Sequence, residues 1–342
     1  MEDSLSPAAK RQLDRFCRQF LQAQLDLDYP SAENLRQNNF QQAIYNNLFA
    51  EIAVQHATPA RHQFRVLKGL IRRIEASIQD WDEEAISDDL MSSFSILFAS
   101  NLPSEAASAQ QKAYVTYSIA SLPRSSDSVP TITLLEARNL VAASGTTGLR
   151  TWEAALHLGN YLSSNPNLVE GKSVLELGAG TGYVSVLCVK YLGATHILAT
   201  DGSDDVVADL PTNFYLNALQ DSSVIEAREL KWGQVLMGGE QPEWNGGRKV
   251  DLVLGADVTY DARTNIALVA TFGDLFEIFP DIQMIIAATI RNVKTFEAFV
   301  TICRTNKYRV EEIDWEIPKP ELQEGPFYSD AVPIRLLRIT KS

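Results

Sequence analysis

The 342-residue chain has few side chains able to form metal sites or disulfides: three cysteines and four histidines. Cys17, Cys188 and Cys303 lie far apart with no CxxC pair, and the histidines are equally scattered. That spacing assembles neither a zinc site nor a disulfide framework, so no metal is expected and a reducing compartment follows. Cys188 lies in an apolar helical run (VSVLCVKYL) and reads as core. Long apolar runs are missing too. No stretch approaches the roughly 18 uninterrupted apolar residues of a membrane span, and the N-terminal region carries charges throughout, unlike a secretory leader. The expectation is a cytoplasmic protein with no membrane contact. A basic surplus is also absent: 30 Lys and Arg stand against 43 Asp and Glu, a net charge of −13. Direct nucleic-acid binding, which needs cations to neutralise phosphates, is thereby disfavoured. Residues 1–145 carry 13 basic and 17 acidic side chains and the remainder 17 and 26, so the acidity is weighted to the second half. Such a surplus serves solubility first, and an acidic face could also steer a basic protein partner.

What is present is the composition of a folded globular protein, 45% hydrophobic and 21% charged, in a length that suits two domains. Residues 8 to about 100 read as helices. Leu13, Phe16, Phe20 and Leu21 share a face, as do Leu35, Phe40, Ile44, Leu48 and Ile52. Phe64, Leu67, Ile71, Ile74 and Ile78 repeat the spacing, and Ile86, Leu90, Phe94 and Leu97 complete it. Pro30-Ser31 and Thr58-Pro59 supply helix-start chemistry between the runs. Stripes this short must pack together or against a second domain. The texture then turns β-rich. Residues 113–120 (AYVTYSIA) and 131–137 (TITLLEA), separated by polar residues 122–130, read as a hairpin with a long loop. The expected organisation is an N-terminal helical domain over 1–110, a β-hairpin connector over 111–143 and a third region over 144–342.

From a turn-rich segment at 144–148 (SGTTG), leading to a helix near Thr151, the pattern alternates. Strands are expected at 173–177, 196–200, 224–230, 250–256, 284–289, 308–313 and 334–340, of which 173–177 and 250–256 are apolar. Helices are expected at 183–192, 204–219, 264–279 and 293–306. Regular alternation predicts a Rossmann-like α/β fold, a mostly parallel sheet of seven strands with helices on both faces. The last two strands are joined by a Pro/Gly-containing loop without a helix, which predicts a final antiparallel strand and hence a mixed sheet.

The chemistry-bearing residues cluster at predicted strand ends. Gly178, Ala179, Gly180 and Gly182 follow the first strand of the alternation within residues 174–182 (VLELGAGTG). Glycine there permits a sharp turn and close approach to a cofactor. Dinucleotide-binding domains use a similar turn, but the spacing here is GxGxG, and Glu176 stands two residues before it. A tight turn without ligand is the bland alternative. Asp201 ends the second strand, where a carboxylate can accept from both ribose hydroxyls of an adenosine cofactor. A helix N-cap would explain it otherwise, although Ser203 or Asp204 would cap equally well. Trp232 follows the third strand, where an indole could stack beside adenine or simply fill core. The most informative segment is 253–260 (VLGADVTY). Ala256 is small enough for close cofactor approach, and Asp257 and Tyr260 face the crevice beyond the strand. Such a pair suits a lysine: the carboxylate orients nitrogen while the ring packs on the methylene stem. Asp257 as a helix N-cap is the alternative. Enzymes acting on planar amides or base amines commonly carry two prolines inside this motif; Val258-Thr259 stands there instead, favouring an aliphatic amine.

Taken in order, residues 147–152 (TGLRTW), 176–182 (ELGAGTG), Asp201, Asn213 with Asn217, Trp232 and 256–260 (ADVTY) resemble the seven-β-strand (class I) protein-lysine methyltransferases over roughly residues 144–342. The helical N-terminal region, the hairpin and residues 145–152 (GTTGLRTW) resemble most closely the eukaryotic elongation factor 2 lysine methyltransferase branch. The resemblance implies S-adenosyl-L-methionine as cofactor and a lysine of a cytoplasmic protein, elongation factor 2, as methyl acceptor. Trp152, Gly178, Ala179, Gly180, Asp201, Trp232 and Ala256 would contact the cofactor. Asp257 and Tyr260 would be catalytic, lining the lysine channel. The N-terminal helices would recognise the substrate, and a monomer is expected. Asn213 and Asn217, four apart on one helix face, would tie that helix to nearby loops. Competing readings are a methyltransferase for another protein or a small-molecule amine, an NAD-dependent oxidoreductase without an obvious hydride-site His or Lys, and a non-catalytic binding module.

Overall fold

Ser6 and Pro7 start the first helix, α1 (Pro7–Leu21): the serine hydroxyl accepts the Ala9 N–H at 3.2 Å, and proline costs nothing in the first turn. The computed structural model describes residues 5–123, 129–137, 147–220, 222–236 and 244–342, and the chain divides into two compact units. The first holds α1, α2 (Ala32–Leu35), α3 (Asn38–Leu48), α4 (Ala60–Ser77), α5 (Asp88–Ala99), α6 (Glu105–Gln110) and the hairpin strands β1 (Ala113–Ser118) and β2 (Thr131–Glu136). Phe16, Phe20, Leu35, Phe40, Ile44 and Leu67 form its buried centre. The stripe expected from Leu35 through Ile52 is not one helix. Leu35 closes α2, α3 ends at Leu48, and Ile52 lies past it in a turn, 95% exposed. Gln41 explains how the break is tolerated: buried, it donates to the Leu35 carbonyl at 2.9 Å and the Ala85 carbonyl at 3.0 Å, and accepts the Ser87 N–H at 2.7 Å. Helix α6, which has no apolar stripe to announce it, starts at Ser104, whose hydroxyl accepts the Ala107 N–H.

The hairpin strands pair antiparallel from Ala113↔Glu136 to Ser118↔Thr131. Tyr117 donates to the Glu136 carboxylate at 2.8 Å, a buried pair that fixes one face of the ladder. Residues 324–327 join this unit, where Gln22 and Phe327 exchange two hydrogen bonds of 2.6 and 2.8 Å. Most of the loop expected at 122–130, and residues 144–146 of the expected turn, lie outside the described residues.

The second unit begins its regular structure with α7 (Glu153–Ser164) and β3 (Ser173–Leu177). There follow α8 (Tyr183–Tyr191), β4 (His196–Asp201), α9 (Asp204–Leu216), β5 (Ile225–Glu229) and β6 (Leu252–Ala256). It ends with α10 (Ala262–Ile278), β7 (Gln283–Thr289), α11 (Val293–Thr305), β8 (Tyr308–Ile313) and β9 (Ile334–Lys341). The seven strands lie in the order β5-β4-β3-β6-β7-β9-β8. Pairing is parallel from β5 to β7, while β9 inserts antiparallel between β7 and β8. This is the mixed Rossmann-like sheet that the alternating pattern predicts. Leu175, Val253, Phe272, Met284, Ile286 and Phe299 lie in its core, each side chain contributing roughly 1.5–3 kcal/mol by leaving water. The chain runs outward from β3 through β4 to β5, then returns to β6 on the other side of β3. A crevice opens at that reversal, beyond the carboxyl ends of β3 and β6.

Candidate active site

The turn after β3 has left-handed backbone at Gly178, Gly180 and Gly182. At Gly178, φ is +69° and a Cβ would fall 2.8 Å from Val258 and 3.4 Å from the Trp232 ring, so glycine is required by conformation and by space. At Gly180 a Cβ would meet the Gly148 carbonyl at 3.4 Å, because the segment before α7 packs on the turn. Thr151 and Thr181 share a buried 2.7 Å hydrogen bond across the same contact. Asn213 donates to the Thr181 carbonyl at 2.8 Å, tying α9 to the turn, and Asn217 donates back to the Asn213 carbonyl.

These elements enclose a cleft of about 810 Å³, a size suited to a nucleoside-bearing ligand. Trp152, Gly178, Ala179, Gly180, Asp201, Trp232, Ala256, Asp257 and Tyr260, the residues singled out from the sequence, all line it. Trp152 stands just before α7, its indole N–H on the Thr147 carbonyl at 2.9 Å. Asp201 accepts from the Gly180 N–H at 3.2 Å and the Ser203 N–H at 3.1 Å. Burial raises its carboxyl above the usual range, while those backbone bonds pull the other way. The Gly202 N–H also bonds to it, so about one of the carboxylate's four acceptor positions is left for a ribose hydroxyl. The Trp232 indole N–H is buried without a partner among the described residues, a donor left for whatever fills the cleft. An unfilled acceptor, an unfilled donor and a glycine-lined approach together fit an adenosine cofactor.

Glu176 lies beneath them, fully buried, accepting a short hydrogen bond from Ser185 in α8. Burial pushes its carboxyl up to about 8; the Ser185 bonds oppose that rise, and the neighbouring Asp201 charge adds to it. At neutral pH it is therefore mostly protonated.

Asp257 has φ +59°, a strained conformation for a residue with a Cβ, held by its N–H on the Ala287 carbonyl at 2.8 Å. It is not a helix cap: α10 is capped by Asp261, which accepts from Arg263 and Thr264. Tyr260 is 53% exposed at the rim of the cleft. One member of the site escaped sequence reasoning. Arg291, after β7, forks onto Asp257 with Nη1 3.1 Å from Oδ1 and Nη2 2.7 Å from Oδ2. Its guanidinium also lies 5.1 Å from the Trp152 ring centre, and that of Arg150 lies 4.3 Å from it. The only signal was position: a lone cation two residues beyond a predicted strand end beside the site.

Among the described residues no cluster of His, Cys, Asp or Glu could hold a metal ion, and no helix is long and apolar enough to cross a membrane. None of the three cysteines forms a disulfide, and all three are buried. A glycine turn at the switch point of a Rossmann-like sheet, an acidic strand end and a carboxylate beyond the next strand define the class: a Rossmann-like domain with a nucleoside-cofactor site.

Comparison with known proteins narrows the class. A family model described as lysine methyltransferase matches residues 135–305. The chain is 50% identical to the protein-lysine N-methyltransferase EFM3 of Chaetomium thermophilum over 330 residues, 96% of this chain and 98% of that protein. It is 33% identical to EFM3 of Saccharomyces cerevisiae over 61% of this chain and 66% of that one. With the human protein-lysine N-methyltransferase EEF2KMT it shares 28% identity over 61% of this chain and 64% of that protein. The chain belongs to the lysine methyltransferase family: it is a protein-lysine N-methyltransferase whose methyl donor is S-adenosylmethionine.

Proposed function

We propose that this enzyme methylates a lysine of translation elongation factor 2 in the cytoplasm, acting as a monomer without nucleic acid. The substrate reading is supported by the resemblance of residues 145–152 and the helical N-terminal region to the elongation factor 2 branch, and by the similarity to the relative named EEF2KMT. In this reading the N-terminal helices, 1–110, recognise the substrate.

The observation that carries the site reading is Asp257, strained and almost buried, beside exposed Tyr260 at the rim of the cleft. When bound, S-adenosylmethionine supplies a methyl group activated on a sulfonium. Gly178, Ala179, Gly180 and Ala256 would leave room for it, Asp201 would accept from a ribose hydroxyl, and Trp152 and Trp232 would supply flat apolar walls. The acceptor lysine packs its stem on Tyr260 and turns its nitrogen to Asp257, which accepts an N–H and fixes the lone pair's direction. The amine must be neutral to attack, although lysine ordinarily holds its proton until about pH 10.4. Water takes that proton before transfer.

Asp257→Asn tests this directly. It is expected to lower kcat by about 100-fold or more while leaving the affinity for S-adenosylhomocysteine within about twofold, by calorimetry. Unchanged kcat would remove Asp257 from the chemistry. An equal loss of cofactor affinity would move it to the cofactor wall.

A further inference from the structure

Asp257 is half of an ion pair, not a free carboxylate. The fork from Arg291 takes one lone pair on each oxygen, and the Thr289 N–H lies 3.4 Å from Oδ1. A carboxylate offers about four acceptor positions, so Oδ2 can still receive one N–H from a substrate nitrogen. What the pair lacks is net negative charge. That difference bears on the lysine. A lone carboxylate would hold the incoming nitrogen as ammonium, which has no lone pair to give. A carboxylate already matched by a guanidinium accepts from a neutral amine without strengthening its hold on a proton. The guanidinium, a like charge nearby, further disfavours the ammonium.

We propose that Arg291 is a positioning residue for methyl transfer: it neutralises and aims Asp257 so that the acceptor lysine resides in the cleft as the free amine. The ammonium proton goes to water; no other group need take it. This rests on the reading of Asp257 as the carboxylate that faces the lysine. The guanidinium also lies over the Trp152 ring, so its position does not depend on the carboxylate alone.

The remaining charges facing the cleft do not substitute for Arg291. Arg150, before α7, is paired with Glu153 at 3.0 Å, and Lys231, after β5, with Glu229. Arg263 comes from the first turn of α10. Asp201, at the end of β4, is committed to backbone N–H groups, and Glu176, at β3, carries its own proton. None of these forks onto Asp257; Arg291 does.

The test is the pH dependence of kcat for wild type, Arg291→Gln and Arg291→Lys. The acceptor is the protein that wild-type enzyme labels, with tritiated S-adenosylmethionine, in extract of cells lacking the enzyme. The rising limb of kcat reports the amine in the bound complex. Arg291→Gln is expected to move its midpoint up by about one pH unit, lowering kcat about tenfold below the midpoint and little on the alkaline plateau. Arg291→Lys keeps the charge and should move the midpoint less than half as far. Arg291 is 42% exposed, but Asp257 is only 8% exposed, so each variant is first checked for folding by its S-adenosylhomocysteine affinity, which should stay within about twofold of wild type. A uniform loss at every pH, an unmoved midpoint, or equal shifts in both variants would overturn the proposal. The two readings separate cleanly. An active Asp257→Asn removes the site reading whatever Arg291 does, whereas an inactive Asp257→Asn with an unmoved Arg291→Gln midpoint removes only the role of Arg291.

Discussion

Glu176 stands at the base of the cleft with its carboxyl out of water, and the consequence is a pH dependence of stability. Its folded proton affinity is raised, with a midpoint of about 8 against an ordinary 4.5. Between those values the folded chain holds a proton that the unfolded chain has lost, so its stabilising effect is full below about pH 4.5 and is lost as pH rises through 8. Asp201 shifts in the same direction. Glu176→Gln should therefore melt with a flatter pH profile than wild type between pH 5 and 8, gaining on it as pH rises; parallel curves would contradict the assignment. Single residues were unevenly legible in the sequence. Asp257 and Tyr260 could be singled out because a carboxylate and a ring three apart beyond an apolar strand are a local pattern. Arg291 could not, since its partner is 34 positions away and only the parallel pairing of β6 with β7 brings the strand ends together.

At the level of elements, the glycine turn is where sequence dictates geometry most tightly. Gly178→Ala would place a Cβ in a left-handed conformation and against Val258, with Trp232 just behind. The expected cost is about 1–3 kcal/mol of stability by urea denaturation, together with a loss of S-adenosylhomocysteine affinity of tenfold or more. Wild-type stability and affinity in that variant would mean the turn has slack the structure denies. The strands of the second unit were readable almost to the residue: 173–177 matches β3, a short apolar run between turn residues as buried parallel strands are, and 308–313 matches the antiparallel edge strand β8, which directly follows a helix. The first unit was less readable. An apolar stripe cannot reveal that α2 and α3 are separate, since the break is stabilised by Gln41 bonding to carbonyls and an N–H from distant positions. Nor can it reveal that Ile52 faces solvent.

For the whole molecule, the sheet order was only partly implied by the sequence. Alternation predicts a parallel sheet, and the helix-free final connection predicts an antiparallel strand. That β9 inserts between β7 and β8, though, follows from pairings no local pattern encodes. The net charge of −13 and the absence of a basic surplus suit a protein substrate better than a nucleic acid. The most direct measurement is peptide mapping by mass spectrometry of elongation factor 2 purified from cells lacking this enzyme. It is treated with S-adenosylmethionine and either wild-type protein or Asp257→Asn. The expected result is a single lysine carrying added methyl groups with wild type and unmodified with the variant. Unmodified elongation factor 2 beside another labelled protein would contradict the substrate, and equal modification by both enzymes would contradict the site.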